Sequence, residues 1–334
     1  MKTSPTYLLH IILILTIALA LSACATESEP TPTAFTVIDQ AGRTVEISGP
    51  VNRLVSGYYI STSVCIALGI SDSLVGIEAR AASRPIYALS KPELLELPDV
   101  GTARDFNLEA CAALEPDLVI LPIRLRESAE TLAQLGIQTI LVDPENYDGL
   151  IGMIKLIGEA TGSAEMADTL ISHIERSLEE LKNLTVSITE KPRVYMGGIG
   201  SYLQTVPDGM FQSTLIELAG GINAAGIEGN SRVEISYEQL LAINPDVIII
   251  PPEADYDIED ISGDAALSTL DAVIGGRIYK MPGDFEAWDS PIPSFTLGIR
   301  WLLGALHPEI YQIENLENDI EAFYGEFYGY LKTN

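Results

Sequence analysis

Histidine and cysteine are scarce in this 334-residue chain, with three of each. A bare zinc or manganese site draws much of its first shell from histidine. Here His10 lies in an apolar N-terminal run, His173 in a helix-patterned stretch and His307 before a proline, so no metal-ligand set is read. A metal-cluster enzyme needs several thiolate ligands, and beyond Cys24 only Cys65 and Cys111 remain. Both sit among apolar neighbours at helical spacing, where buried free thiols outweigh a disulfide; pairing would require their helices to abut. Basic residues are also few, 19 against 47 acids, for a net charge of −28. That excludes a nucleic-acid partner, because phosphate neutralisation needs a basic face. Phosphate-cradling glycine motifs are missing as well: Gly197-Gly-Ile-Gly200 follows a strand pattern but lacks a third glycine and opens no clear helix.

What the chain has is a phrase stated twice. Asn107-Leu-Glu-Ala-Cys-Ala-Ala-Leu-Glu-Pro-Asp-Leu-Val-Ile-Leu-Pro122 returns as Ser236-Tyr-Glu-Gln-Leu-Leu-Ala-Ile-Asn-Pro-Asp-Val-Ile-Ile-Ile-Pro251, offset by 129 residues. Each copy reads as a short helix stopped by Pro-Asp, then an apolar run of the kind found in strands buried on both faces of a parallel sheet. The period is too long for a solenoid, so the reading is a duplicated α/β unit whose halves face each other across a cleft. The fold class is α/β: two Rossmann-like lobes with parallel-rich sheets joined by one long connector.

The one long apolar run, Leu8 to Leu21, is interrupted only by His10 and Thr16, follows Lys2 and ends in Leu21-Ser22-Ala23-Cys24, which resembles a bacterial lipobox. It is short for a membrane span, which needs ~20 apolar residues. The expected organisation is a signal peptide over 1–24, a flexible tether over 25–34, a first α/β lobe over 35–149, a connector over 150–190 and a second lobe over 191–334. Within it, Phe35 to Ile47 predicts a hairpin around Asp39-Gln40-Ala41-Gly42. Residues 54–57, 74–77 and 138–143 predict strands, and Arg80, Arg84 and Arg104 fall in a polar loop. Leu150 to Leu184 predicts one or two helices with a break at Thr161-Gly162. In the second half, helices are expected over 210–219, 265–273, 301–306 and 313–331, and the acidic stretch Glu253 to Asp260 reads as a mobile loop.

Lipobox, opening hairpin, Ile66-Ala-Leu-Gly-Ile-Ser-Asp-Ser-Leu-Val-Gly-Ile77, the two copies of the repeat, the connector and Leu218-Ala-Gly-Gly221, in that order, resemble the substrate-binding lipoproteins of iron-siderophore and cobalamin ABC importers. The resemblance covers nearly the whole chain after Cys24. It implies cleavage before Cys24 and lipidation of its thiol, a monomer anchored on the outer face of the cell membrane, small hinge motion, and hand-over of the solute to a permease dimer driven by a separate ATPase. It also implies that Glu109 and Glu238, one per lobe, dock on arginines of the permease. A glutamate in the first turn of a helix is well placed for that, since the dipole favours an exposed anion there.

Ligand contacts are expected at the carboxyl ends of strands, where open α/β sheets place their binding loops. They are Tyr58, Tyr59, Arg80, Arg84, Arg104 and Arg124 from the first lobe, with Arg126 nearby, and Tyr202, Arg232, Phe285 and Trp288 from the second. So many arginines at such loops point to an anionic ligand or metal chelate, with the aromatics as stacking surfaces. A ferric siderophore is the first reading, with a corrinoid or haem next and no resident cofactor. A ligand-sensing surface protein is a further reading. The remaining alternative is a cell-surface hydrolase using Asp284, Glu286 and Asp289, although no nucleophile and base can be paired with them.

Overall fold

The computed structural model describes residues 34–330. The leader, Cys24 and the tether residues before Ala34 lie outside the described residues. Among those described, no helix is long and apolar enough to cross a membrane.

The chain enters through an antiparallel hairpin, β1 (Phe35–Ile38) and β2 (Thr44–Ile47). Asp39 organises its turn: one carboxylate oxygen accepts from the backbone N–H of Ala41 and Arg43, and the other from Leu141 N–H and the Arg43 side chain. The hairpin is thereby tied to the edge of the first sheet. That sheet contains β3 (Leu54–Ser56), β4 (Leu74–Ile77), β5 (Leu118–Pro122) and β6 (Thr139–Val142), all parallel, in the spatial order β4-β3-β5-β6.

The second sheet repeats this topology. Its strands are β7 (Arg193–Met196), β9 (Ile222–Asn223), β11 (Val247–Ile250) and β12 (Ile278–Lys280), parallel and ordered β12-β11-β7-β9. Between them β8 (Gln204–Thr205) pairs with β10 (Val233–Glu234) as a small antiparallel flap. In both sheets the first and third strands in chain order are central neighbours, with the second outside the first and the fourth outside the third. The strand half of the duplicated phrase is β5 in one sheet and β11 in the other, each preceded by its short helix, Leu108–Ala113 and Tyr237–Ile243. Strands this apolar, Val247-Ile-Ile-Ile250 among them, are wholly buried, as parallel strands covered on both faces must be.

Two helices, Tyr147–Thr161 and Ala164–Thr185, link the sheets. The break falls at Gly162, whose φ of 76° only glycine adopts freely. One continuous apolar core runs beneath both lobes, from Leu54 and Leu118 to Val194 and Val247.

Several local expectations are corrected. The polar loop around Arg84 contains the helix Pro85–Ser90, with proline in its first turn. The helix expected over 265–273 is a tight turn, Ala265–Leu267, followed by the short helix Asp271–Ile274; the Asp264 carboxylate caps the turn at Ala266 N–H, and Asn244 holds Asp271 N–H. The acidic stretch is held in place: Asp257 caps the helix Ile258–Ser262 and Tyr256 donates to Gly198 O at 2.9 Å. The last helix, Leu316–Tyr328, returns to the first lobe, where the Tyr328 hydroxyl meets Ser63 Oγ at 2.7 Å. Cys65 and Cys111 are buried and free, in separate packed clusters.

Candidate functional site

Both sheets aim their switch points, β3 beside β5 and β7 beside β11, at the same space. Open α/β sheets bind ligands outside the carboxyl ends of the strands at such points. A cavity of about 390 Å³ lies there. Tyr58 and Tyr59 enter it after β3, Arg124 after β5, Ile199 after β7, and Pro251 and Glu253 after β11. The entry after β3 passes close to β5 at Gly57: a Cβ at that position would lie 2.5 Å from Leu121 Cδ2 and 3.2 Å from Phe106 Cε2, so any larger residue would have to displace those side chains where the strand turns to present the tyrosines. A second cavity of about 430 Å³ adjoins the first on the first-lobe side, sharing Tyr58, Tyr59 and Arg124 and adding Arg80, Arg84 and Arg104.

Charged pairs ring this space. The Arg84 guanidinium sits 4.2 Å above the Tyr59 ring and 2.5 Å from a Glu253 carboxylate oxygen of the opposite lobe. Arg124 lies 5.8 Å from the Tyr58 ring centre and 3.3 Å from Glu145. Arg232 donates to Gly197 O at 2.9 Å and stands 3.7 Å from Asp289. The two tyrosine rings meet edge to face, 5.3 Å apart, and the Tyr59 hydroxyl crosses to Ser290 Oγ at 3.0 Å. A floor of aromatic faces under guanidinium groups can take an anion above the cation and an apolar ligand body beside it.

Burial sets the protonation of the carboxyls in the wall. Asp289 is pushed up to about 6 by desolvation, with Arg232 opposing. Glu78 accepts hydrogen bonds from Thr62 Oγ1 at 2.5 Å and the Tyr87 hydroxyl at 2.8 Å, yet desolvation still raises it to about 7. A carboxyl whose folded pKa lies above its unfolded value, about 4.3, gives stability that is complete below the unfolded value and is lost as pH rises through the folded one. Between pH 5 and pH 8 the protein is therefore expected to lose on the order of 2–3 kcal/mol at this site. Glu78→Gln removes the charge and keeps a partner for each hydroxyl. Urea denaturation at the two pH values should show that its stability falls less than that of the unaltered protein.

Tyr58, Tyr59, Arg80, Arg84, Arg104, Arg124 and Arg232 all line one or both cavities. Tyr202, Phe285 and Trp288 do not. The Tyr202 hydroxyl is 2.9 Å from Asp264 and 3.1 Å from the Tyr237 hydroxyl, so it braces the helix that carries Glu238. Trp288 is only 1% exposed and donates its indole N–H to the Tyr324 hydroxyl at 2.8 Å, and Phe285 stacks on Tyr324 and Trp288. These rings are core beneath the cleft rather than ligand platforms, because the last helix covers them. Glu286 lies sealed in the same layer, whereas its neighbour Asp289 reaches the cavity. Glu109 and Glu238 are exposed in the first turns of their helices.

Three cavity residues carry no distinctive signal in the sequence: Glu145, Glu253 and Gln212. Gln212 is buried, and its side-chain oxygen has no hydrogen-bond partner among the described residues. Only the packing of its helix, Phe211–Leu218, brings it to the cavity wall.

The chain is similar to the molybdate-binding protein MolA of Haemophilus influenzae, 24% identical over 318 residues that cover 87% of this chain and 90% of MolA. It is also similar to the high-affinity heme uptake system protein IsdE of Staphylococcus aureus, 26% identical over 160 residues, or 47% of this chain and 54% of IsdE. Among solved structures, a periplasmic solute binding protein from Veillonella parvula superposes with a TM-score of 0.80 at 26% identity, covering 90% of this chain and 95% of that one. Molybdate-bound MolA superposes with 0.79 at 23% identity, covering 90% and 99%, a likeness of fold. A profile of the periplasmic binding protein family matches residues 54–285, which include every strand of both four-stranded sheets, and the chain belongs to that family, the extracytoplasmic solute-binding components of ABC importers.

Proposed function

We propose that the solute is an anionic metal complex, a ferric siderophore first, captured between the lobes and handed to a permease dimer with its ATPase. The observation that carries this reading is the convergence of Arg84, Arg124 and Arg232, from both lobes, around the Tyr58–Tyr59 floor. Arg80 and Arg104 extend the positive side into the adjoining cavity, giving room for a chelate that spans both spaces. On this reading Cys24 carries the lipid anchor and Glu109 and Glu238 address the permease.

A bare oxyanion is the second reading. It is favoured by the likeness to MolA along 87% of the chain; the unpartnered Gln212 oxygen in the wall is an acceptor and calls instead for a donor-bearing ligand group. A haem or corrinoid finds less support, because the rings expected to stack on it, Trp288 and Phe285, are packed beneath the cleft.

Titration calorimetry on the purified protein with ferric catecholate and hydroxamate complexes, haem, cobalamin and molybdate tests the choice. Tryptophan emission would report poorly, as Trp288 and Trp301 are both core residues. Saturable binding of an anionic ferric complex is expected, weakened about tenfold by Arg232→Gln through loss of a charged hydrogen bond. Binding of molybdate alone would replace the siderophore reading with the oxyanion one.

A further inference from the structure

Of the three charged pairs around the cavity, Arg84–Glu253 alone joins the two lobes. Arg84 immediately precedes the helix Pro85–Ser90 of the first lobe and lines the adjoining cavity; Glu253 follows β11 of the second lobe and lines the main one. The pair therefore stands at the junction of the two spaces. The guanidinium rests on the Tyr59 ring and reaches Glu253 at 2.5 Å, and the other carboxyl facing it, Glu78, is committed to Thr62 and Tyr87. Glu253 is thus the exchangeable partner. Its side chain is 40% exposed, against 6% for Asp289 beside Arg232, and ion pairs with so hydrated a partner are held weakly.

Resting on the reading of an anionic solute, we propose that Glu253 is a specificity-determining residue: its carboxylate occupies the anion position over Arg84 and Tyr59 until the solute's own anionic group replaces it. A neutral solute cannot take that position without leaving the guanidinium facing no anion. An anionic one exchanges like for like, gaining bidentate geometry on Arg84, and frees Glu253 to move with the second lobe. Selectivity then comes from a competitor built into the wall, a repulsive element as much as an attractive one.

Glu253→Gln keeps the size of the side chain and removes its charge. Calorimetry with ferric citrate and molybdate as anionic probes, and ferrichrome as a neutral one, should show the variant binding whichever anion the protein takes about two- to fivefold more tightly, with ferrichrome unchanged. Weaker anion binding would make Glu253 a ligand contact, and equal binding would make the pair incidental; either overturns the proposal. If no anionic probe binds the unaltered protein, the anionic-solute reading fails by itself. The inter-lobe role is then decided without solute, by spin-label distances between Gln134→Cys and Thr269→Cys, both exposed sites, in a Cys24→Ser background with the buried Cys65 and Cys111 retained. A broader or longer distribution in Glu253→Gln supports Glu253 as the group that holds Arg84 across the lobes, and an identical one overturns the proposal.

Discussion

Reversing the charge at both Glu109 and Glu238 is expected to abolish solute uptake while leaving solute affinity in solution unchanged. The two residues are equivalent by topology, each in the first turn of the helix that leads into the third strand of its sheet. The Asn107 side chain caps one helix by accepting from Ala110 N–H at 3.0 Å, and Ser236 caps the other in a reciprocal pair with Gln239. The caps satisfy the first-turn backbone N–H groups of Ala110 and Gln239 without using the glutamates. Backbone N–H and the Ser236 hydroxyl hold the Glu238 carboxyl below its ordinary range, which favours its ionised form at the helix N-terminus. Two exposed anions, one per lobe and neither among the residues lining the cavities, suit a two-fold partner bearing arginines. Glu109→Arg with Glu238→Arg should eliminate solute-stimulated ATPase activity of the reconstituted importer, and each single change should give a partial loss. Unimpaired uptake in the double variant would end the docking role and return a sensor to consideration.

The largest loss of stability is expected from Glu286→Ala. The Glu286 carboxylate is the common acceptor of a buried hydroxyl cluster: Ser63 at 2.6 Å, Ser294 at 2.6 Å, Tyr324 at 3.0 Å and Tyr328 at 3.5 Å. Tyr324 in turn accepts from the Trp288 indole. Those partners come from the first-lobe helix Tyr59–Ala67, the start of the helix Phe295–Leu306, and the last helix, so a single side chain joins three elements across the lobes. Burial raises the Glu286 carboxyl despite these donors. Removing it leaves the hydroxyls unsatisfied and opens a void, a loss of about 3–5 kcal/mol. Glu286→Gln keeps an acceptor and should cost about 1–2 kcal/mol. Guanidinium denaturation of the purified variants measures both; a loss in Glu286→Ala no larger than in Glu286→Gln would show that the cluster is not held by the carboxylate.

The role of this cluster marks where reading along the chain stops. The phrase Phe285-Glu-Ala-Trp-Asp-Ser-Pro-Ile-Pro293 looks like a ligand loop, being aromatic, acidic and stiffened by proline. Its residues divide between two environments: Asp289, Ser290 and Pro291 face the cavity, whereas Phe285, Glu286 and Trp288 face the last helix. No periodicity separates them, because the loop is irregular and its sides are set by Leu316–Tyr328, some thirty residues further on. Tyr202 is misread for a similar reason. It follows the right strand, but the flap of β8 and β10 and the Asp264 side chain turn it toward the second-lobe core.

The sequence by itself determined the duplication, the parallel sheets, the break at Gly162 and the arginines at the strand ends. These rest on local signals: apolar runs that only a doubly covered strand can bury, Pro-Asp stops, a glycine where φ is positive, and scarce cations in an acidic chain. Only the tertiary structure decided which carboxylates stand against those arginines. Glu253 lies 169 residues from Arg84, and Asp289 lies beyond β12 from Arg232. Such pairings follow from how two similar sheets are turned to face each other, a matter of core packing between the lobes that no window of sequence contains.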